Sequence, residues 1–184
     1  QGDRVAEDQP KGVKLLEKAV EQGRGDVQCT LGVIYLRGDG VAQNTKKGRE
    51  LLEKAAEQKH SDAQVVLGNM YLHGQHGVAK DTAKGVGFLK KAAEQGVAVE
   101  QYELGMMHLR GVGVAQDTQK GRELLEKAAE QGCADAQSVL HGMLESQAQE
   151  LTRLAQNGDI KTLERLSKTV VLEVELNSSG ATVL

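Results

Sequence analysis

Apolar residues along this chain return every three or four positions, in short blocks separated by glycine-bearing turns. Between Asp26 and Leu36, the residues Val27, Leu31, Ile34 and Tyr35 fall at helical spacing, and Leu51, Leu52, Ala55 and Ala56 do so after Asn44. The link Arg37-Gly38-Asp39-Gly40-Val41-Ala42-Gln43-Asn44 carries two glycines that take positive φ at no steric cost. This predicts a hairpin of a helix A, a tight turn and a helix B. Asn44 is the expected N-cap of helix B, and Asp8, Asp81 and Asp117 hold the same place in the other units. Pro10 then falls within a first helical turn, where its missing N–H costs little. Gly23, Gly96 and Gly132 suit a C-cap at the end of helix B, and Lys59 stands in that place once.

The blocks themselves recur. The stretch Lys11–Gly23 returns at Lys47, Lys84 and Lys120, in steps of 36, 37 and 36 residues. A period of that size with no strand signal predicts stacked helical hairpins, each burying its apolar face against its neighbours. The expected architecture is therefore all-α: a partial repeat 8–25, repeats 26–61, 62–98 and 99–134, and a partial repeat 135–145. The extra residue of the second repeat lies in Gly74-Gln75-His76-Gly77-Val78, within a loop, so both helical faces stay in phase. After His141 the turn motif is lost. Residues 146–157, with Leu151, Leu154 and Ala155 on one face, and a short helix with Ile160, Leu163 and Leu166 predict a capping pair over 146–169. In 170–184, Leu172, Val174 and Leu176 alternate with Glu173 and Glu175. That tail stays open between continued helix, a strand paired with another chain, and a flexible end.

Three copies of one motif carry a resemblance. They are Leu31-Gly32-x-x-Tyr35-x-x-Gly38-x-Gly40-Val41, Leu67-Gly68-x-x-Tyr71-x-x-Gly74, and Leu104-Gly105-x-x-His108-x-x-Gly111-Val112-Gly113-Val114. With the closing Lys-x(6)-Lys-Ala-Ala-Glu-x-Gly they resemble the Sel1-like repeat family, relatives of the tetratricopeptide repeats, over about residues 8 to 142. The resemblance implies a right-handed α-α superhelix of Sel1-like/TPR-like helical hairpins that serves as an adaptor for protein partners, often exported by bacteria. It also implies that Gly32, Gly68 and Gly105 let helices cross closely, and that Tyr35 and Tyr71 pack on the following turn.

Two departures from that pattern matter. Gly12, Gly48, Gly85 and Gly121 stand where the family usually has alanine. A glycine inside a helix costs about 0.5–1 kcal/mol relative to alanine, so these sites imply either looser first turns or unusually close contacts. The cysteine-rich branch of the family pairs two cysteines within each repeat, whereas Cys29 and Cys133 lie about three repeats apart. At about 10 Å between neighbouring helices, that exceeds the reach of a disulfide, and no intramolecular bridge is expected.

Composition adds three limits. Aromatic residues make up 2% and tryptophan is absent, so the core rests on Leu, Val, Ala and Met. Net charge is −3 with both signs interspersed and no basic stripe, which argues against a nucleic-acid partner. No apolar run approaches the roughly 18 residues of a membrane helix. A start at Gln1 together with the family resemblance leads to the expectation of a processed chain, periplasmic or secreted.

The sequence offers no nucleophile elbow, no HExxH, no phosphate-cradling loop and no Cys-x-x-Cys, and we expect no enzyme, cofactor or metal. His73 and His76 flank the insertion without a carboxylate or cysteine to complete a metal cluster. Glutamates such as Glu50 and Glu123 lie four residues before Lys54 and Lys127, as surface pairs do. Removing the buried stripe from each helix A leaves one row: Val33 and Arg37, then Asn69 and His73, then Tyr102, Met106 and Arg110. Helix A lines the inner wall in the architecture resembled, and Arg, Tyr and Met are favoured at interfaces. The expected function is a non-enzymatic scaffold that binds a protein or peptide along this row. Two alternatives are an immunity or inhibitor protein for a secreted effector enzyme, and a binding protein or weak hydrolase for cell-wall fragments or β-lactams.

Overall fold

The computed structural model describes residues 2–162, with side chains from residue 11 onward. The described residues divide into two compact units, the first ending at Gln137 and the second beginning at Ser138. Every element among the described residues is helical: α1 (Gly2–Val20), α2 (Gly25–Arg37), α3 (Thr45–Glu57), α4 (Ser61–His73), α5 (Thr82–Glu94), α6 (Ala98–Arg110), α7 (Thr118–Glu130) and α8 (Ala134–Gln156). In the first unit, α2 packs on α3, α4 on α5 and α6 on α7, and each pair packs on the next. This is the helical solenoid expected from the period.

The turns explain why each pair folds back. Gly38, Gly74 and Gly111 end helices α2, α4 and α6 in the left-handed conformation, with φ of 79°, 66° and 68°. The chain is then pinned to the helix it has left: the backbone N–H groups of Asn44, Asp81 and Asp117 donate to Tyr35, Tyr71 and His108 carbonyls. The side chains of the same three residues accept from Lys47, Lys84 and Lys120 backbone N–H groups at 2.9–3.0 Å, which starts helix B. At the far end, Lys59 adopts φ 63° where Gly23, Gly96 and Gly132 occupy the same region.

The first unit differs from expectation at Asp8. Helix α1 runs through Asp8 and Pro10 instead of starting there. In the full repeats a glycine of positive φ stands four residues before the cap residue (Gly40, Gly77 and Gly113), whereas Arg4 holds that place before Asp8 and the helix runs on. A second difference falls at 145/146, where no helix boundary exists, because α8 is continuous from Ala134 to Gln156. A lone Gly142 without a following Gly-x-Gly turn does not stop a helix of otherwise good formers. The turn after it forms as read: Gly158 has φ 70°, and Asp159 accepts from the Thr162 backbone N–H at 3.1 Å. Leu163, Leu166 and the tail 170–184 lie outside the described residues.

Packing within the solenoid is tight where the two helices of a repeat cross. Leu52, Ala55, Leu89, Ala92, Leu125 and Ala128 are fully buried on helices B, and Leu31, Leu67 and Leu104 are buried on helices A. The helix-B glycines answer to close contact, not to looseness. A Cβ on Gly48 would lie 2.7 Å from the Gly32 carbonyl oxygen, one on Gly85 2.9 Å from that of Gly68, and one on Gly121 2.9 Å from that of Gly105. A Cβ on Gly12, by contrast, would meet nothing within 4 Å.

Two polar ladders cross the repeats. Gln95 donates to Gln64 at 2.6 Å, and Gln64 donates to the Ala56 carbonyl of the preceding helix B at 3.1 Å. Gln131, Gln101 and the Ala93 carbonyl repeat this, at 2.8 and 3.2 Å. The family tyrosines also reach further than the turn. Tyr35 donates to Glu17 on α1 and accepts from Lys47 Nζ at 2.6 Å, and Tyr71 joins Glu53 and Lys84 in the same way. In the third repeat Lys90 replaces the glutamate and His108 the tyrosine, and the His108 ring faces the Ala115 carbonyl at 3.3 Å instead.

Surface ion pairs form at other positions than the spacing suggested. Arg49–Glu53 and Arg122–Glu126 pair at 3.8 and 3.1 Å, while Glu50–Lys54 and Glu123–Lys127 do not. The arginines are partly buried against the helix and give up less freedom on pairing. Both cysteines are free. Burial, then the Asp62 charge, pushes the Cys29 thiol up to about 11.

Candidate functional site

The exposed row of helix A converges between the second and third repeats. Asn69 and His73 from α4 face Tyr102, Met106 and Arg110 from α6 across a cavity of about 470 Å³. All five were on the row read from the sequence. The other two are not in this cavity. Val33 packs against the buried cluster of Leu36, Leu52 and Leu67 as a partly buried side chain, and Arg37 is exposed one repeat earlier.

Further residues complete the groove, and the row pattern did not include them. Leu72 and Met107 form part of its floor and pack on the core of Val86, Ala93 and Leu104. Val112, from the turn after α6, remains 55% exposed at its edge. That turn lies close over α5, because a Cβ on Gly113 would come within 2.6 Å of Thr82 Cγ2. Thr82 and Lys80 also line the groove. Val112 could be found in sequence as an apolar residue between two turn glycines, and Lys80 as a break in the repeat, since its counterparts are Gln43 and Gln116.

The groove is charged unevenly. His73, Lys80 and Arg110 are cations or can become so, and Glu103 is the acid among its lining residues. Glu103 lies seven residues before Arg110 on α6, about 10 Å along the axis at the helical rise. His73 and Glu103 share the groove but make neither a hydrogen bond nor an ion pair. No grouping of three or more His, Cys, Asp or Glu side chains suited to a metal occurs among the described residues. His108 is buried away from this groove. Burial, with the Glu103 and Asp62 charges, raises the pKa of Glu100 at the start of α6. No described helix is long and apolar enough to cross a membrane.

A helical-hairpin solenoid with an open groove between successive A helices defines the class of an α-repeat interaction protein. The chain belongs to the Sel1 repeat family, whose model matches residues 1–23, 26–60, 61–97 and 101–133. It is similar to the Sel1 repeat protein from Oxalobacter formigenes, at 36% identity and TM-score 0.67, covering 72% of this chain and 98% of that one. It is also similar to c5321, a protective antigen of uropathogenic Escherichia coli strains with an SLR fold, at 37% identity and TM-score 0.71. That match covers 76% of this chain and 30% of the antigen. Helicobacter pylori cysteine rich protein B aligns at 26% identity and TM-score 0.52, over 69% of this chain and 96% of that one. No curated protein matches the chain. Sel1 repeat proteins are generally scaffolds for protein interaction.

Proposed function

We propose that this protein is a non-enzymatic adaptor that holds a segment of another protein in the groove between α4 and α6. The observation that carries this is the convergence of Asn69, His73, Tyr102, Met106 and Arg110 on one cavity of about 470 Å³. Val33 and Arg37 extend the same row one repeat toward α1, so the contact would run along helices A. An apolar floor supplies burial, and the polar edges fix orientation, as in other concave peptide sites. The partner is a protein or peptide, the bacterial relatives support a bacterial source, and a periplasmic or secreted setting is part of the proposal.

The competing reading, binding or hydrolysis of a small compound, draws on His73 and Glu103 lying in the same groove. Acid–base work needs such groups within hydrogen-bond reach of one another or of the substrate. They are not joined here, and the adaptor reading is favoured. Pull-down from native extract with the wild type and with Arg37→Ala, Tyr102→Ala and Arg110→Ala combined tests it. The triple variant should lose a partner that the wild type retains, while keeping its helical circular-dichroism spectrum. Equal recovery by both would remove the groove from the account.

A further inference from the structure

His73, Lys80 and Arg110 at this groove make no ion pair among the described residues. Arg24 pairs with Asp26, Arg49 with Glu53, Arg122 with Glu126 and Arg153 with Glu150. Arg37 and Arg110, on the helix-A row, make no ion pair among the described residues. In a chain of net charge −3, arginines left without a carboxylate are a departure from its own habit.

Lys80 departs in a second way. In the first and third repeats its position holds glutamine, and the side-chain amide of Gln43 donates to the Leu36 carbonyl at 2.7 Å. Gln116 donates likewise to Leu109 at 2.9 Å. The second repeat gives up this turn-closing bond and places an exposed ammonium at the edge of the groove. Beside Lys80 and Arg110 lies apolar surface, with Met106 half-buried and Val112 mostly exposed.

We propose that the groove takes an acidic segment of the partner protein, with carboxylates on Lys80 and Arg110 and an aliphatic side chain on Met106 and Val112. The inference rests on the adaptor reading above and names the partner's chemistry. Glu103 sets the direction: it disfavours a carboxylate at its end of the groove, so the acidic residues lie toward Arg110. Pairing across a partly desolvated edge makes the interaction strongly dependent on salt and on charge sign.

The test uses a fluorescein-labelled decapeptide of alternating leucine and glutamate, with glutamine and lysine analogues, read by fluorescence polarisation on the full chain. The glutamate peptide should bind at least tenfold more tightly than either analogue and weaken about tenfold between 50 and 500 mM salt. Lys80→Gln restores the residue of the other repeats, so it should fold as well as the wild type yet bind the glutamate peptide more weakly. Arg110→Gln and Met106→Asp should weaken it further, and Lys46→Gln on an exposed turn of α3 should not. Equal binding of the glutamine peptide with the same variant sensitivity would overturn the acidic partner but leave the groove. Glutamate-peptide binding indifferent to all three groove variants would overturn the groove reading as well. Failure of every peptide to bind would overturn the proposal.

Discussion

Gly48 sits against Gly32 so closely that a methyl group on the former would come within 2.7 Å of the latter's carbonyl oxygen. The glycine that weakens helix B locally is what lets helix A approach. Replacing Gly48 by alanine gains about 0.5–1 kcal/mol of helix propensity but forces backbone against backbone, at about 1–3 kcal/mol. Gly48→Ala should lower stability in urea unfolding. Gly12→Ala, at the equivalent position with open space around it, should leave stability unchanged or raise it by up to about 1 kcal/mol. Equal effects at the two sites would remove the close crossing as the reason for the glycines.

Lys59 is the non-glycine member of the turns that close helix B, at φ 63°. A left-handed L-residue costs about 1–2 kcal/mol. Lys59→Gly should therefore raise the unfolding free energy read from urea curves, by about 1 kcal/mol after the entropy glycine adds to the unfolded chain. Gly96→Ala, at φ 86°, should lower it by a similar amount.

The buried Gln64 joins two repeats by donating to the Ala56 carbonyl and accepting from Gln95. Gln64→Leu removes the side-chain bridge while the Ala56 carbonyl keeps the Lys59 backbone N–H at 3.0 Å, a loss of about 0.5–1.5 kcal/mol. Hydrogen exchange should show added opening on both sides of the α3–α4 junction. Loss confined to α4 would contradict a bridging role.

The Tyr35 hydroxyl, followed by Lys47, holds the Glu17 carboxyl below its ordinary pKa. A depressed carboxyl stabilises the fold above its unfolded value of about 4.3, and this contribution fades as pH falls through the lower folded value. Lys47 is raised, first by its bond to Tyr35, so its contribution is present below the ordinary lysine value and fades as pH rises through the folded one. The gap in melting temperature between wild type and Tyr35→Phe should narrow from pH 7 toward pH 3 as the Glu17 part fades, leaving the part due to the Lys47–Tyr35 bond. A constant gap would mean that the tyrosine acts by packing alone.

The Cys29 thiol, pushed up to about 11 by burial, is overwhelmingly protonated at neutral pH. Native protein at pH 7.5 should react with Ellman's reagent at Cys133 only, and at both cysteines in guanidinium. Rapid labelling of Cys29 in the native state would place it at the surface.

The helices, caps and hairpin turns were legible because each follows from local chemistry repeated three times, as Asn44, Asp81 and Asp117 illustrate. The misreading of Asp8 has a physical cause: the positive-φ glycine that precedes each of the other caps by four residues is replaced there by Arg4. The glutamine ladder was illegible, because Gln28, Gln64 and Gln101 look like surface residues until their distant partners Gln58, Gln95 and Gln131 are known. Helical periodicity placed Asn69, His73, Tyr102, Met106 and Arg110 on one side. It was silent on Lys80 and Val112, which reach the groove by the path of a turn.

The adaptor reading depends on partner contact being made through helix A and not through helix B. Photo-crosslinking in the native host settles this most directly, with benzoylphenylalanine placed at Met106 in the groove or at Glu123 on the exposed side of α7. Adducts to one protein from position 106, mapped to a single segment of it and absent from position 123, are the predicted result. Adducts that arise equally at position 123, or only there, would contradict it.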